Sequence, residues 1–281
     1  MNFPTANDYD PRKVSACRSV LIEVVHILGD YVDDMAIVGG WVPTLLIEGA
    51  AEEHAASMDV DLALNQEKIS EEAYATINKI LTQDGYRQNT EKNAQFKYFK
   101  DVIVEGQTFT IELDLLTGEY GGDTGKGRRH EPIQDVRALK ARGADLVFDR
   151  TKTITVTGEL PNEGGKDTVT CKIAGVVPFI VMKGIVLARR KKPKDAYDIE
   201  YVLRYYPGGI DAIVELIGSD LENNLVQEAL TNIAQKFESV EHVGPTAVAA
   251  FLGIDDKEEQ MRIKRRAFET VLAFLSRVKR E

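Results

Sequence analysis

The sequence predicts an α+β fold, with a mixed β-sheet and packed helices to about residue 175 and a helical C-terminal domain after it. Three observations predict this. Short apolar or alternating stretches at 36–38, 59–64 and 108–116 have strand character. Helix-period stretches at 11–30, 41–47 and 68–82 are interleaved with them. Beyond Pro178 the chain favours helix at 178–189, 195–205, 209–218, 220–236, 245–252 and 256–280.

The elements follow in chain order. Val14, Cys17, Val20, Leu21, Val24, Val25 and Leu28 recur at helical spacing. Ala36-Ile37-Val38 is a short buried strand ended by Gly39-Gly40. Trp41 opens the next helix, with Pro43 in the first turn, where proline is tolerated. Residues 59–64, Asp-Val-Asp-Leu-Ala-Leu, alternate with strand period. Extended pieces follow near 85–88, at 95–99 and at 108–116, and then a Gly-rich charged loop at 117–131. Segments 145–148, 153–157 and 168–173 are candidate strands, the last two separated by turn-rich Leu-Pro-Asn-Glu-Gly-Gly. A boundary near 175 divides residues 1–175 from 176–281.

Bulk composition narrows the classes. The 281 residues are 43% hydrophobic, enough for a packed core without covalent staples. Cys17 and Cys171 lie far apart and His26, His54, His130 and His242 are scattered, so neither a disulfide framework nor a zinc motif is expected. The first residues lack a basic start and an apolar core, so no signal peptide is expected; with no apolar run of about 20 residues, the expectation is a cytoplasmic protein without a membrane partner. A net charge of −10 argues against a general nucleic-acid coat. Positive charge is nevertheless clustered at 189–194, at 262–266 and in Gly-Lys-Gly-Arg-Arg-His at 125–130.

Chemistry enters with the carboxylates. Asp59 and Asp61 are two apart on a strand and project from one face, while Val60 and Leu62 project from the other. Two carboxylates about 5 Å apart repel by roughly 3 kcal/mol at an effective dielectric of 20. A bound cation or a proton relieves them. Hard oxygen donors suit magnesium, with manganese as an alternative, and the expected cofactor is a two-metal site. The strand Ile111-Glu112-Leu113-Asp114-Leu115 supplies a third acid, Asp114, with Glu112 on the same polar face. Upstream, Gly39-Gly40 between a buried strand and a helix start suits close approach of a phosphate to free backbone N–H groups, and Ser57 adds a hydroxyl.

Taken together, Gly39-Gly40, Asp59-Val60-Asp61-Leu62 and the later Asp114 resemble the signature of the DNA polymerase β-like nucleotidyltransferases. The resemblance implies a polymerase β-like nucleotidyltransferase core with a mixed β-sheet, followed by the helical domain. One departure stands out: residues 41–58 separate the glycines from Asp59, a longer stretch than in the compact motif, which puts the position of Ser57 in question.

A second block narrows the resemblance. Met182-Lys183-Gly184-Ile185-Val186-Leu187-Ala188-Arg189-Arg190 is followed by Lys194-Asp195-Ala196-Tyr197-Asp198-Ile199. This is similar to the AbiEii/AbiGii-type nucleotidyltransferases, which include MenT-like toxins of toxin–antitoxin pairs. The resemblance covers about residues 33–205. It implies nucleotidyl transfer from a nucleoside triphosphate (NTP) to an acceptor hydroxyl, with release of pyrophosphate. Asp59 and Asp61 would hold both metal ions, and Asp114 the catalytic one. Gly39, Gly40, Ser57 and Lys183 would hold the triphosphate, with Arg189 also in reach of phosphate. Asp195 and Asp198 would order the nucleotide site or the basic run. The implied acceptor is the 3′ end of transfer RNA, and the implied protein partner is an antitoxin.

Two other readings stay open. An acidic protein suits a cationic, aminoglycoside-like acceptor, and a nucleotide-binding module without catalysis belongs to a different class. In the last helix, an apolar stripe of Met261, Phe268, Val271, Leu272, Leu275 and Val278 faces the domain. Its basic side is read first as a solvated face and second as an RNA-backbone surface.

Overall fold

The computed structural model describes residues 3–65, 67–91, 94–118 and 138–280. The loop expected at 117–131, with its basic cluster at 125–130, lies almost wholly outside them. The chain folds into two compact units. The sheet unit comprises Asp10–Val42 and Ala56–Gly175; the helical unit comprises Met1–Tyr9, Pro43–Ala55 and Val176–Glu281. The excursion Pro43–Ala55 thus belongs with residues that follow it by more than a hundred positions.

In the sheet unit the strands are β1 (Met35–Val38), β2 (Asp59–Leu64), β3 (Arg87–Gln88), β4 (Lys97–Val104), β5 (Gln107–Thr117), β6 (Leu139–Lys140), β7 (Thr151–Glu159) and β8 (Lys166–Ala174). Their order is β3-β4-β5-β2-β1-β8-β7, with β6 pairing β5. The sheet is mixed: β1 is antiparallel to β2 and parallel to β8, and β2 is parallel to β5. Helix α1 (Pro11–Ile27) begins with Asp10 capping the Arg12 N–H and buries Cys17, Val20, Leu21 and Val24. The sheet unit also contains α3 (Glu71–Gln83) and α4 (Asp145–Asp149); the short α2 (Val42–Leu46) runs from the sheet unit into the helical unit. The β4–β5 hairpin turns at Glu105-Gly106, both with positive φ, +50° and +77°, which is the geometry of a type I′ turn.

One expectation is corrected here. Residues 145–148 form the helix α4, not a strand. A run as short as Leu146-Val147-Phe148 carries no period, and Gly143 at φ +90° turns the chain into a helix with Asp145 in its first turn.

The helical unit contains α5 (Val176–Arg189), α6 (Pro193–Tyr205), α7 (Gly209–Gly218), α8 (Asn224–Lys236), α9 (Val243–Leu252) and α10 (Lys257–Val278). On α10 the buried stripe is Ile263, Ala267, Val271, Phe274 and Val278. This corrects the expected stripe, since Met261 and Leu272 are 40% and 47% exposed. The buried set steps by four, four, three and four residues and so stays on one helical face; Met261 and Leu272 lie off it. Both cysteines are buried free thiols. Among the described residues no helix is long and apolar enough to cross a membrane.

Candidate active site

Strand register assembles the carboxylates. Val38 of β1 lies opposite Asp61 of β2, Asp61 opposite Asp114 of β5, and Asp114 opposite Lys97 of β4. The adjacent row pairs Asp59 with Glu112. Partners in register project from the same face, so Asp59, Asp61, Glu112, Asp114 and Lys97 share one side of the sheet. Val60, Leu62 and Leu113 fill the core on the other, each fully buried.

Among the described residues this face carries four acids and one base. Burial, reinforced by the neighbouring Asp61 and then by Glu112, pushes the Asp114 carboxyl up to about 8 against the opposing pull of Lys97. Asp114 Oδ1 is buried and has no hydrogen-bond partner among the described residues. Lys97 Nζ donates to Glu112 Oε1 and lies 3.4 Å from Asp114 Oδ2. Burial disfavours the Lys97 ammonium, but Glu112 and Asp114 outweigh it and raise the lysine's pKa.

The glycines lie directly beside these acids. After Val38 the chain makes a 3₁₀ turn, Gly39–Trp41. Gly39 has φ +71°, and a Cβ built on it would stand 1.9 Å from Asp61 Oδ2. Only a residue without a side chain lets Asp61 lie against the turn. Trp41 donates from Nε1 to Cys17 Sγ at 3.3 Å, tying the buried turn to α1. Gly39→Ala is expected to cost the sheet unit about 1–3 kcal/mol, from overpacking and an unfavourable φ, read by denaturant unfolding. A loss no larger than the roughly 1 kcal/mol of the unfavourable φ would mean that Asp61 swings aside freely.

Asp59 is turned to Ser57, whose Oγ donates to Asp59 Oδ1 at 2.5 Å. The preceding Ala56 sits at φ +57°, a left-handed conformation that costs an alanine about 1 kcal/mol. Among the described residues no group of three His, Cys, Asp or Glu side chains is arranged to hold a metal ion. The donor chemistry nevertheless fits a divalent cation at the Asp61–Asp114 pair: two in-register carboxylates, one buried oxygen without a partner among the described residues, and a carboxyl whose pKa is raised by burial and then by Asp61. Magnesium takes few carboxylates and completes its shell with water and phosphate oxygens, so the pair suffices as an anchor.

The second motif block lies in the helical unit. Lys183 of α5 is buried, with Nζ 3.1 Å from Asp195 Oδ1 and 2.6 Å from Asp198 Oδ2. Arg190 grips Asp195 through Nε and Nη2 at 2.7 and 2.8 Å, and Lys194 reaches Asp198 Oδ1 at 2.7 Å. Burial opposes the charges of Lys183, Asp195 and Asp198. Even so, Lys183 and Arg190 hold Asp195 low, and Lys183, Lys194 and His54 hold Asp198 well below the usual carboxylate range. These two carboxylates take two of the three N–H donors of Lys183.

His54, from the excursion, completes this network. Its Nε2 lies 3.0 Å from Asp198 Oδ1 and its Nδ1 3.2 Å from Thr44 Oγ1, while its ring stacks on Tyr197 at 5.2 Å. Burial and then the Lys194 charge lower its pKa to about 4, outweighing Asp198, so the ring is neutral at pH 7. The carboxylate contact assigns the proton to Nε2, and Nδ1 accepts from the Thr44 hydroxyl. The folded pKa lies below the unfolded value of 6.5, so protons favour the unfolded chain as pH falls. The helical unit is therefore expected to lose about 3 kcal/mol between pH 6.5 and about 4. Unfolding curves at pH 7 and 4.5 for the native protein and His54→Gln check this; equal pH dependence in the two would disprove it.

Of the basic runs, Arg189, Lys191 and Lys192 are exposed, whereas Arg190 and Lys194 are committed to the network. On α10, Lys264 pairs with Glu241 at 2.8 Å, Arg266 with buried Glu200 at 3.0 Å, Arg277 with Asp211 at 2.7 Å, and Arg262 with Glu259. Sequence reasoning missed Lys97 and the His54 contact. A lone lysine at a strand start and a histidine 144 residues from its partner leave no local signal.

The chain is similar in structure to an antigenic nucleotidyltransferase-like protein from Paracoccidioides brasiliensis, at 17% identity and a TM-score of 0.44, covering 84% of this chain and 91% of that one. No family model and no curated protein matches the chain.

Proposed function

We propose that the protein is a metal-dependent nucleotidyltransferase that moves a nucleotide from an NTP to an acceptor hydroxyl and releases pyrophosphate. The observation that carries this reading is the packing of Gly39 against Asp61, in register with Asp114. The two motifs of the resemblance, a glycine turn and paired strand carboxylates, meet at one point of the sheet unit.

In this reading Asp61 and Asp114, with Asp59 released from Ser57, hold magnesium or manganese. The bound cation neutralises the triphosphate and the developing charge on the α-phosphate. The backbone at Gly39 and Gly40 admits phosphate oxygens because no side chain stands in the way. The fold's contribution is positioning and preset charge.

The finer reading takes the 3′ end of transfer RNA as acceptor and a toxin–antitoxin pair as setting. It draws support from the AbiEii/AbiGii-type resemblance and from the exposed Arg189, Lys191 and Lys192. The ion pairs on α10 leave its basic side less suited to RNA than its charge count suggests. The test is incubation with magnesium, each α-labelled NTP and total transfer RNA, with Asp61→Asn as control. Label on RNA from the native protein alone supports the reading. No label on RNA, with nucleotide and metal still bound, removes transfer RNA as acceptor and moves the search to small hydroxyl compounds.

A further inference from the structure

The carboxylate face already holds one fixed cation. Lys97 is the residue directly across from Asp114 in the β4–β5 ladder. Its ammonium joins Glu112 and lies 3.4 Å from Asp114 Oδ2, and its side chain is only 26% exposed. The Phe96 ring stands 5.4 Å from the same nitrogen, adding a π-face on another side. Asp114 therefore divides its oxygens: Oδ2 faces the ammonium, and Oδ1 is the oxygen without a partner.

The geometry points to Lys97 as the second positive charge of this site, so that the protein takes one divalent ion, at Asp61 with Asp114 Oδ1, where a two-metal enzyme takes two. This inference rests on the metal-dependent reading above. A second divalent ion at Asp114 Oδ2 and Glu112 would sit within a few ångströms of the ammonium and be repelled by it. The donors agree with a single ion. Glu112 and Asp114 Oδ2 are engaged by Lys97, which leaves Asp61 and Asp114 Oδ1 as the anchor. Lys97 is thus a charge-supplying, positioning residue: it orients Asp114 and takes the electrostatic place of an ion.

The test counts ions and does not depend on turnover. Mn²⁺ is titrated into the purified protein and the free ion is followed by electron paramagnetic resonance. One Mn²⁺ per chain is expected for the native protein and for Lys97→Arg, and two for Lys97→Met. Two ions in the native protein, or one in a folded Lys97→Met, would overturn the inference while leaving the metal-dependent reading in place. No Mn²⁺ on any form would sink both. If Lys97→Met does not fold, the native count still decides. Asp61→Asn, expected to bind at least tenfold more weakly, checks that the counted ion is the one at the carboxylates.

Discussion

Asp61→Asn is expected to lower nucleotidyl transfer on the order of 10³-fold while leaving the sheet unit at least as stable as before. The activity loss follows from removing one of the two carboxylates that anchor the cation, which supplies several kcal/mol of charge stabilisation. Stability moves the other way because Asp61 is, after burial, the main cause of the raised Asp114 pKa. A carboxyl whose folded pKa exceeds its unfolded value binds protons more tightly when folded, so stability falls as pH rises from about 4 towards about 8. Removing the Asp61 charge weakens that penalty. Two measurements check this: label transfer from α-labelled NTP, and unfolding at pH 5 and pH 8. A variant with native activity would sink the site assignment. One that is inactive because it is destabilised at pH 8 would sink the electrostatic account.

Lys183→Met is expected to destabilise the helical unit by about 3–5 kcal/mol. Burial opposes the Lys183 charge, yet Asp198 and Asp195 together hold its pKa above that of an ordinary lysine. Replacing it with an apolar chain of similar length leaves two buried carboxylates short of their shared partner, Asp198 at 0% and Asp195 at 1% exposure. Arg190 and Lys194 still serve them in part, so Lys183→Met combined with Asp198→Asn should recover some of the loss. Denaturant midpoints of the single and double variants check this. A loss below about 1 kcal/mol would mean that the pairs contribute little and that Lys183 is available for another task.

Much of this arrangement was legible in the sequence because it is local. Strand period puts Asp59 and Asp61 on one face, and the same rule puts Glu112 and Asp114 together; what the sequence cannot supply is the register that sets Asp61 beside Asp114. The glycine turn was legible as a turn, but its contact with Asp61 depends on β1 pairing with β2 so that Val38 meets Asp61. Lys97 escaped because its significance arises only across the β4–β5 ladder. Leu146-Val147-Phe148 misled because three apolar residues fit helix and strand equally well. The α10 stripe misled because Met261 and Leu272 are apolar residues on the exposed side, which is common at protein surfaces.

The excursion Pro43–Ala55 also bears on the order in which the chain can fold as it is synthesised. Its His54 docks on Asp198, 144 residues later in the sequence. At roughly 5–20 residues per second a ribosome needs roughly 7–30 s to make the intervening chain. Throughout that interval β1 and β2 precede the α6 partners of the segment joining them. The partners of Glu52, His54 and Ala55 in this excursion, Tyr201, Asp198 and Tyr197, are all on α6 and come only when that helix is made. Docking of the excursion, and with it assembly of the helical unit, therefore waits on synthesis of α6.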